Sequence, residues 1–290
     1  MILQQNNEID KKLLEVFKKE TIDNINKDNL GFILMTIPLE KENENDITFK
    51  IYYSHKYSKE IYDLNNHDLP IINFLNKKNM LSGFELSHDK YDKCARFNAK
   101  LQNANNKNIL DLFDYLENKT TFIGKYKEEI LKFSRIGHPI PSDWDYESLF
   151  FVGFANDQNQ NIEQVKCYWI NEILENEYYI NFIKESKIKG LLELLPIVQK
   201  IIPEKGRYLW GEGIDYSDKG SSNHKIYISY KEETCKSIIN TFANNSTIAH
   251  NIKLVTDWAK VHTEFLGDGF AIGKNSENNL VLNSYFRLKK

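Results

Sequence analysis

Residues 149–170 read LFFVGFANDQNQNIEQVKCYWI. Two runs rich in aromatic and β-branched residues, SLFFVGFA (148–155) and QVKCYWI (164–170), flank the polar stretch NDQNQNIE, the signature of a β-hairpin. In the second run, alternation of period two puts Val165, Cys167 and Trp169 on one face and Lys166 and Tyr168 on the other. One face is apolar; the other carries a cation and a phenol.

The cycle recurs along the chain. GFILMTIPLE (31–40), KENEND and ITFKIYYS (47–54) form a first hairpin, and MLSGFELS (80–87), HDKYDK and CARFNAKL (94–101) a second. RYLWGEGID (207–215), YSDKGSS and NHKIYISY (223–230) follow as a fourth, EFLGDGFAIG (264–273), KNSENN and LVLNSYFRL (280–288) as a fifth. A fixed period of this kind outranks any single-element assignment. First strands share a glycine followed by an apolar residue: Gly83-Phe84, Gly153-Phe154, Gly213-Ile214 and Gly269-Phe270. Second strands share Lys50-Ile51-Tyr52, Arg96-Phe97-Asn98, Lys166-Cys167-Tyr168, Lys225-Ile226-Tyr227 and Asn283-Ser284-Tyr285.

Helical periodicity fills the intervals. From Glu8 to about Lys27, Ile9, Leu13, Val16 and Phe17 share one face. Further helices are expected across part of Tyr57–Asn76 with an interruption at Pro70, and across Asn108–Phe133, Glu172–Lys200 and Glu232–Val261. The helix over Thr247–His262 turns Ile248, Ile252, Val255 and Ala259 to the core. Amphipathic helices must cover the apolar face of the strands, so the Lys/Tyr face points away from them. Ten antiparallel strands suffice to close into a barrel and remove exposed edges. The expected fold is α+β: one domain over residues 1–290, a ten-stranded antiparallel barrel of five ββ repeats surrounded by helices, with a polar lumen wide enough for a ligand.

Composition narrows the functional classes. The 290 residues are 41% hydrophobic, 27% charged and 13% aromatic, with 16 Tyr and 17 Phe, which argues against disorder. The net charge of -3 gives no general attraction to nucleic acid. No run approaches the roughly 18–20 apolar residues of a membrane span, and MILQQNNEIDKK lacks the layout of a secretory signal. Cys94, Cys167 and Cys235 fit reduced thiols in a cytoplasmic protein. There is no P-loop, no GxGxxG after a strand and no HExxH, which argues against motor, dinucleotide and zinc chemistry. The abundance of asparagine is read as genomic base composition.

Lys50, Arg96, Lys166 and Lys225 come from four hairpins onto one inner wall. A ring of cations inside a barrel requires an anion, and a diphosphate would satisfy it, Arg96 making a two-pronged contact and the lysines acting as point charges. Tyr52, Tyr168, Tyr227 and Tyr285 lie two residues along. Their faces can stabilise a carbocation and exclude water from it.

With those residues in place, the chain resembles the ABBA-type prenyltransferases, whose PT barrel consists of five such repeats, most locally in GIDYSDKGSSNHKIYIS and LFFVGFANDQNQNIEQVKCYWI. The resemblance implies a diphosphate site at Lys166 with Tyr168 and Lys225 with Tyr227, extended by the repeat to Lys50, Tyr52 and Arg96. Asn98 and Asn283 depart from the pattern and are expected to face the acceptor. Chain length is similar to the compact bacterial branches, and LSGFELSHDKYDKCARFNAKL with SLFFVGFAND looks more like the cyanobactin peptide prenyltransferases. The implied reaction moves a dimethylallyl or geranyl group from its diphosphate to a side chain of a cyclic peptide, or to a phenol, indole or phenazine. By strand parity Glu85 and Asp215 face the lumen and are the candidate carboxylates for proton removal or acceptor positioning. No metal-ligand cluster is expected; Mg²⁺, where used, would bridge diphosphate oxygens. The resemblance implies no nucleic-acid or membrane partner, and a monomer or weak dimer. A barrel that binds an anionic lipid or metabolite without chemistry is the alternative, and an open sheet docking an acidic peptide is a third reading. His88 and His224 are expected at the surface beside turns, and Asp143-Trp144-Asp145 in a loop leading into the third hairpin, with the barrel mouth as the alternative place. Trp169, Trp210 and Trp258 are expected to pack between barrel and helices.

Overall fold

A computed structural model describes residues 7–16, 30–40, 47–56, 70–88, 94–102, 105–133, 149–156, 162–170, 175–275 and 277–289. The element order is α1 (Glu8–Val16), β1 (Leu30–Pro38), β2 (Thr48–Lys56), α2 (Pro70–Lys77), β3 (Leu81–His88) and β4 (Cys94–Leu101). Next come α3 (Asn106–Glu117), α4 (Ile123–Phe133), β5 (Leu149–Asn156), β6 (Ile162–Ile170), α5 (Asn176–Ser186), α6 (Lys189–Leu192) and α7 (Leu195–Ile201). The chain finishes with β7 (Leu209–Ser217), β8 (Gly220–Ile228), α8 (Glu232–Thr241), α9 (Ser246–Val261), β9 (Phe265–Lys274) and β10 (Leu280–Leu288).

All ten strands pair antiparallel with their sequence neighbours, and β1 pairs with β10 to close the barrel. The expected architecture is the one observed. Ile33, Met35, Ile51, Val165, Cys167, Trp169, Ile226 and Ile272 form one buried core with helix residues Leu112, Ile183, Val198 and Trp258. The apolar face of the sheet is therefore the outer one. Tyr179 of α5 donates to the buried Glu212, and Tyr216 donates to Glu129 of α4 at 2.9 Å. These outward-facing polar groups satisfy one another beneath the helices.

Three expected long helices are broken, and the breaks have local causes. The 108–133 stretch divides at 118–122, where the Thr120 hydroxyl accepts from the backbone N–H of Ile123 at 3.3 Å. The 172–200 stretch divides where Lys187 takes a left-handed conformation (φ 60°), and again where Pro196 enters the first turn of α7. The 232–261 stretch divides at Asn245, whose side chain caps α9 by accepting from Thr247 and Ile248. Pro70 begins α2, in keeping with its lack of a donor N–H; the helical stretch expected before it, 57–69, lies outside the described residues. The fourth hairpin turns at residues 218–219, so its strands run further into YSDKGSS than expected.

Several asparagines have structural work here. Asn7 and Asn105 cap α1 and α3. Asn79, Asn223 and Asn278 hold φ values of 55°, 49° and 65°, which asparagine tolerates better than most residues. His224 also departs from expectation: it is buried on the outer face, its ring against Gly190, where an added Cβ would lie 2.3 Å from Nδ1. Cys167 and Cys235 are free thiols. Residues 143–145 and the side chain of His88 lie outside the described set. No helix among the described residues is long and apolar enough to cross a membrane.

Candidate active site

The strand register fixes the lumen without ambiguity. Starting from Lys50 and Tyr52, cross-strand partners of the same parity run through Leu34 and Phe32, Tyr285 and Asn283, and Ala271 and Gly273. They continue through Tyr227 and Lys225, Gly213, Asp215, Lys166 and Tyr168, and Phe151 and Gly153. Asn98 and Arg96, then Glu85 and Ser87, return the circuit to Tyr52. Every sequence-nominated residue falls on a lumenal register. The side chains of Glu85 and Arg96 lie outside the described set; their backbone positions face Asn98 and Ser87 across the β3–β4 ladder.

The register also advances by two residues at each hairpin. Arg96 lies level with Tyr52 across Ser87, Lys166 with Asn98 across Gly153, and Lys225 with Tyr168 across Gly213. Asn283 lies level with Tyr227 across Ala271, and Lys50 with Tyr285 across Leu34. Such a constant stagger is what strand tilt in a closed barrel demands. It brings equivalent residues of the five repeats to one height. The result is a tier of cations toward the hairpin turns and a tier of rings toward the helix-bearing ends.

Glycine recurs for a reason the sequence did not give. Between the level residues stand Gly153, Gly213 and Ala271, which leave room for the long side chains on either hand. A Cβ at Gly213 would meet the Tyr168 ring at 3.2 Å and the Tyr227 hydroxyl at 3.4 Å. One at Gly273 would lie 2.6 Å from Lys225 Cγ.

In the cation tier, Lys166 is 4% exposed and Asp215 is 0% exposed, with Nζ and Oδ1 3.4 Å apart. Asn223 Nδ2 donates to Asp215 Oδ2 at 2.7 Å. The Lys166 ammonium also lies 4.6 Å from the Tyr168 ring centroid, a cation–π contact within one Lys-x-Tyr unit. Lys225 is half-buried and Lys50 exposed. Burial, followed by the charge of Asp215, pushes the Cys167 thiol well up, so this outward cysteine is an inert packing group.

The ring tier is an arc. Phe151 and Tyr168 are 6.2 Å apart, Tyr168 and Tyr227 6.3 Å, and Tyr227 and Tyr285 5.8 Å. Phe32 lies 5.9 Å from Tyr285 and stacks on Tyr52 at 4.4 Å. Burial, and then the neighbouring phenols of Tyr285 and Tyr168, hold the Tyr227 hydroxyl protonated well above its ordinary range. On β4, Asn98 is buried and its carbonyl oxygen makes no hydrogen bond among the described residues. Asn283 accepts from the Thr36 hydroxyl at 2.7 Å, while its amide nitrogen makes none.

Phe32, Phe151 and Trp210 were not anticipated. Phe32 and Phe151 follow from alternation in first strands, each paired with a lumenal tyrosine, Tyr52 and Tyr168. Trp210 does not pack under the helices: its ring lies 4.6 Å from Tyr227, inside the barrel. Trp169 and Trp258 do belong to the outer core.

A closed ten-stranded antiparallel barrel with helices outside is the fold of the prenyltransferase barrels. The structure of NotF prenyltransferase aligns over 89% of this chain and 80% of its own, with a TM-score of 0.59 and 11% identity. NotF in complex with brevianamide F and DMSPP gives 0.57 at 9% identity, covering 90% and 81%. A 6-dimethylallyl tryptophan synthase gives 0.54 at 12% identity, covering 88% and 80%. At these identities the likeness is one of fold. No protein-family model and no curated protein matches the sequence.

Proposed function

We propose that this barrel transfers a prenyl group from its diphosphate to an aromatic acceptor. The observation that carries the reading is the two-tier lumen: Lys166 and Lys225 stand two residues from the tyrosines of a continuous aromatic arc. NotF and a 6-dimethylallyl tryptophan synthase share the fold, and the NotF complex holds a prenyl diphosphate analogue, DMSPP, together with brevianamide F.

In this reading Lys50, Arg96, Lys166 and Lys225 bind the diphosphate. The allylic C–O bond breaks and its electron pair leaves with the diphosphate. Tyr52, Tyr168, Tyr227 and Tyr285, with Phe32 and Phe151, shield the allyl cation. Each ring face is worth about 0.5–2 kcal/mol to a desolvated cation. The acceptor's electron pair then forms the new bond, and its proton passes to a carboxylate. Glu85, paired with Asn98 across the β3–β4 ladder, suits that role by register; Asp215, between Lys166 and Asn223, suits the balance of charge around the diphosphate. Asn98 and Asn283 would hold polar groups of the acceptor. Mg²⁺, where used, would be held through diphosphate oxygens, with Asp215 a carboxylate of the same tier.

The test is a mass-spectrometric turnover assay with dimethylallyl and geranyl diphosphate, with and without Mg²⁺. Cyclic peptides carrying Tyr, Trp, His or Arg form one acceptor arm, simple phenols and indoles the other. Addition of one prenyl unit, lost in Lys225→Ala, supports the reading, and the productive arm decides between peptide and small-molecule acceptors. Absence of product together with absence of diphosphate binding would overturn it; binding without turnover would leave a non-catalytic carrier.

A further inference from the structure

Trp210 enters the lumen because β7 carries a bulge. The ladder between β7 and β8 shifts register between Leu209 and Gly211, and a bulge re-aims the side chain it carries. The indole comes to lie 4.6 Å from the lumenal Tyr227 ring. It also lies over Gly269, where an added Cβ would be 3.2 Å from Nε1. Glycine at position 269 therefore leaves space for the N–H edge of the ring. That nitrogen is buried and makes no hydrogen bond among the described residues.

A buried donor without a partner costs about 1–3 kcal/mol. Phenylalanine at this position would give the same stacking without the cost, so the N–H calls for an oxygen that arrives with a ligand. Amide groups such as Asn98 and Asn283 can rotate to exchange donor for acceptor; an indole N–H can only donate. The diphosphate is an unsuitable partner. Tyr227 lies two residues beyond Lys225 along β8, roughly 7 Å further from the cation tier, and Trp210 stacks on Tyr227. A prenyl chain that extends from the cation tier has no hydrogen-bond acceptor.

We propose that Trp210 Nε1–H donates to a carbonyl-type oxygen of the acceptor, so that the preferred acceptors are aromatic compounds bearing an amide carbonyl or carboxylate near the ring rather than bare indoles or phenols. This rests on the prenyl-transfer reading only for what fills the lumen. Trp210 is a specificity residue: it reads a group that takes no part in bond making.

The experiment compares wild type with Trp210→Phe on three probes that share one ring: 3-methylindole, tryptophan and a tryptophan-containing diketopiperazine. KM and kcat are measured with dimethylallyl diphosphate, and Kd by calorimetry with its unreactive thiolo analogue present. The ratio of KM, or of Kd, between oxygen-bearing and oxygen-free probes is expected to worsen about tenfold in Trp210→Phe, the size of one hydrogen bond. Whichever of tryptophan and the diketopiperazine shows the effect identifies carboxylate or amide as the oxygen. An equal effect on all three probes, or none on any, overturns the proposal. Gly269→Ala, which crowds the indole edge but keeps the ring, is expected to produce the same ratio change and covers the case of a Trp210→Phe variant that does not fold. Oxygen-dependent binding without product would uphold Trp210 and refute prenyl transfer; product without a ratio change would do the reverse.

Discussion

Lys50 and Lys166 occupy the same place in two copies of one repeat, and each precedes a lumenal tyrosine by two residues. Lys50 faces Leu34 across its ladder and is exposed. Lys166 stands between Gly153 and Asp215, buried, with a carboxylate 3.4 Å away. The motif sets which face a lysine occupies. Its neighbours on adjacent strands set whether it can shed its water. A buried ammonium survives only with a counter-charge, so Lys166 stands already paired in the wall while Lys50 keeps its contact with solvent.

Breaking that contrast gives the largest effect. Lys166→Ala leaves Asp215 buried without its cation and should cost about 3–5 kcal/mol of unfolding free energy in urea, while Lys50→Ala should cost less than about 0.5 kcal/mol. Equal losses would show that both lysines sit in one environment. A double Lys166→Met/Asp215→Leu variant should recover most of the stability while binding diphosphate more weakly.

A smaller effect is expected from the small residues that separate the side chains. Gly273→Ala would force Lys225 and the backbone oxygen of His224, 2.7 Å from the new Cβ, to move. Such overpacking costs about 1–3 kcal/mol, read in the same urea titration; a neutral outcome would mean that β8 and β9 can part without loss.

The smallest effect is a pH dependence. Burial holds the His224 imidazole below its ordinary pKa of 6.5, against the opposing pull of Asp215 and Glu193 and with the help of Lys274. The unfolded chain binds that proton more readily, so stability is complete above pH 6.5 and declines as pH falls below it. His224→Gln should flatten the melting temperature between pH 7 and 5 relative to wild type, and an unchanged slope would place the acid sensitivity elsewhere.

Much of the architecture was legible because it rests on alternation: strand faces, hairpin count and the outward apolar side all follow from period two. What escaped depends on register. That Lys166 meets Asp215 is settled by pairing between different hairpins, and no local pattern states it. Trp210 escaped because a bulge adds one residue and reverses the parity on which the reading relied. The helix breaks at Lys187 and Asn245 escaped because apolar periodicity continues across them while the backbone does not.

Nine of the ten ladders join strands consecutive in the chain, and only the β1–β10 ladder joins its distant ends. Its companions are equally remote in sequence: Thr36 with Asn283, and Asp10 of α1 with Trp258 and His262. Local hairpins form early and cheaply in entropy, whereas a contact across some 250 residues must wait for the loop to close. During synthesis the lumen therefore cannot exist until β10 has left the ribosome. Up to that moment the nascent chain can form at most an open sheet with two unpaired edges, and the cation tier acquires its enclosure in the same step that joins the two ends of the sheet.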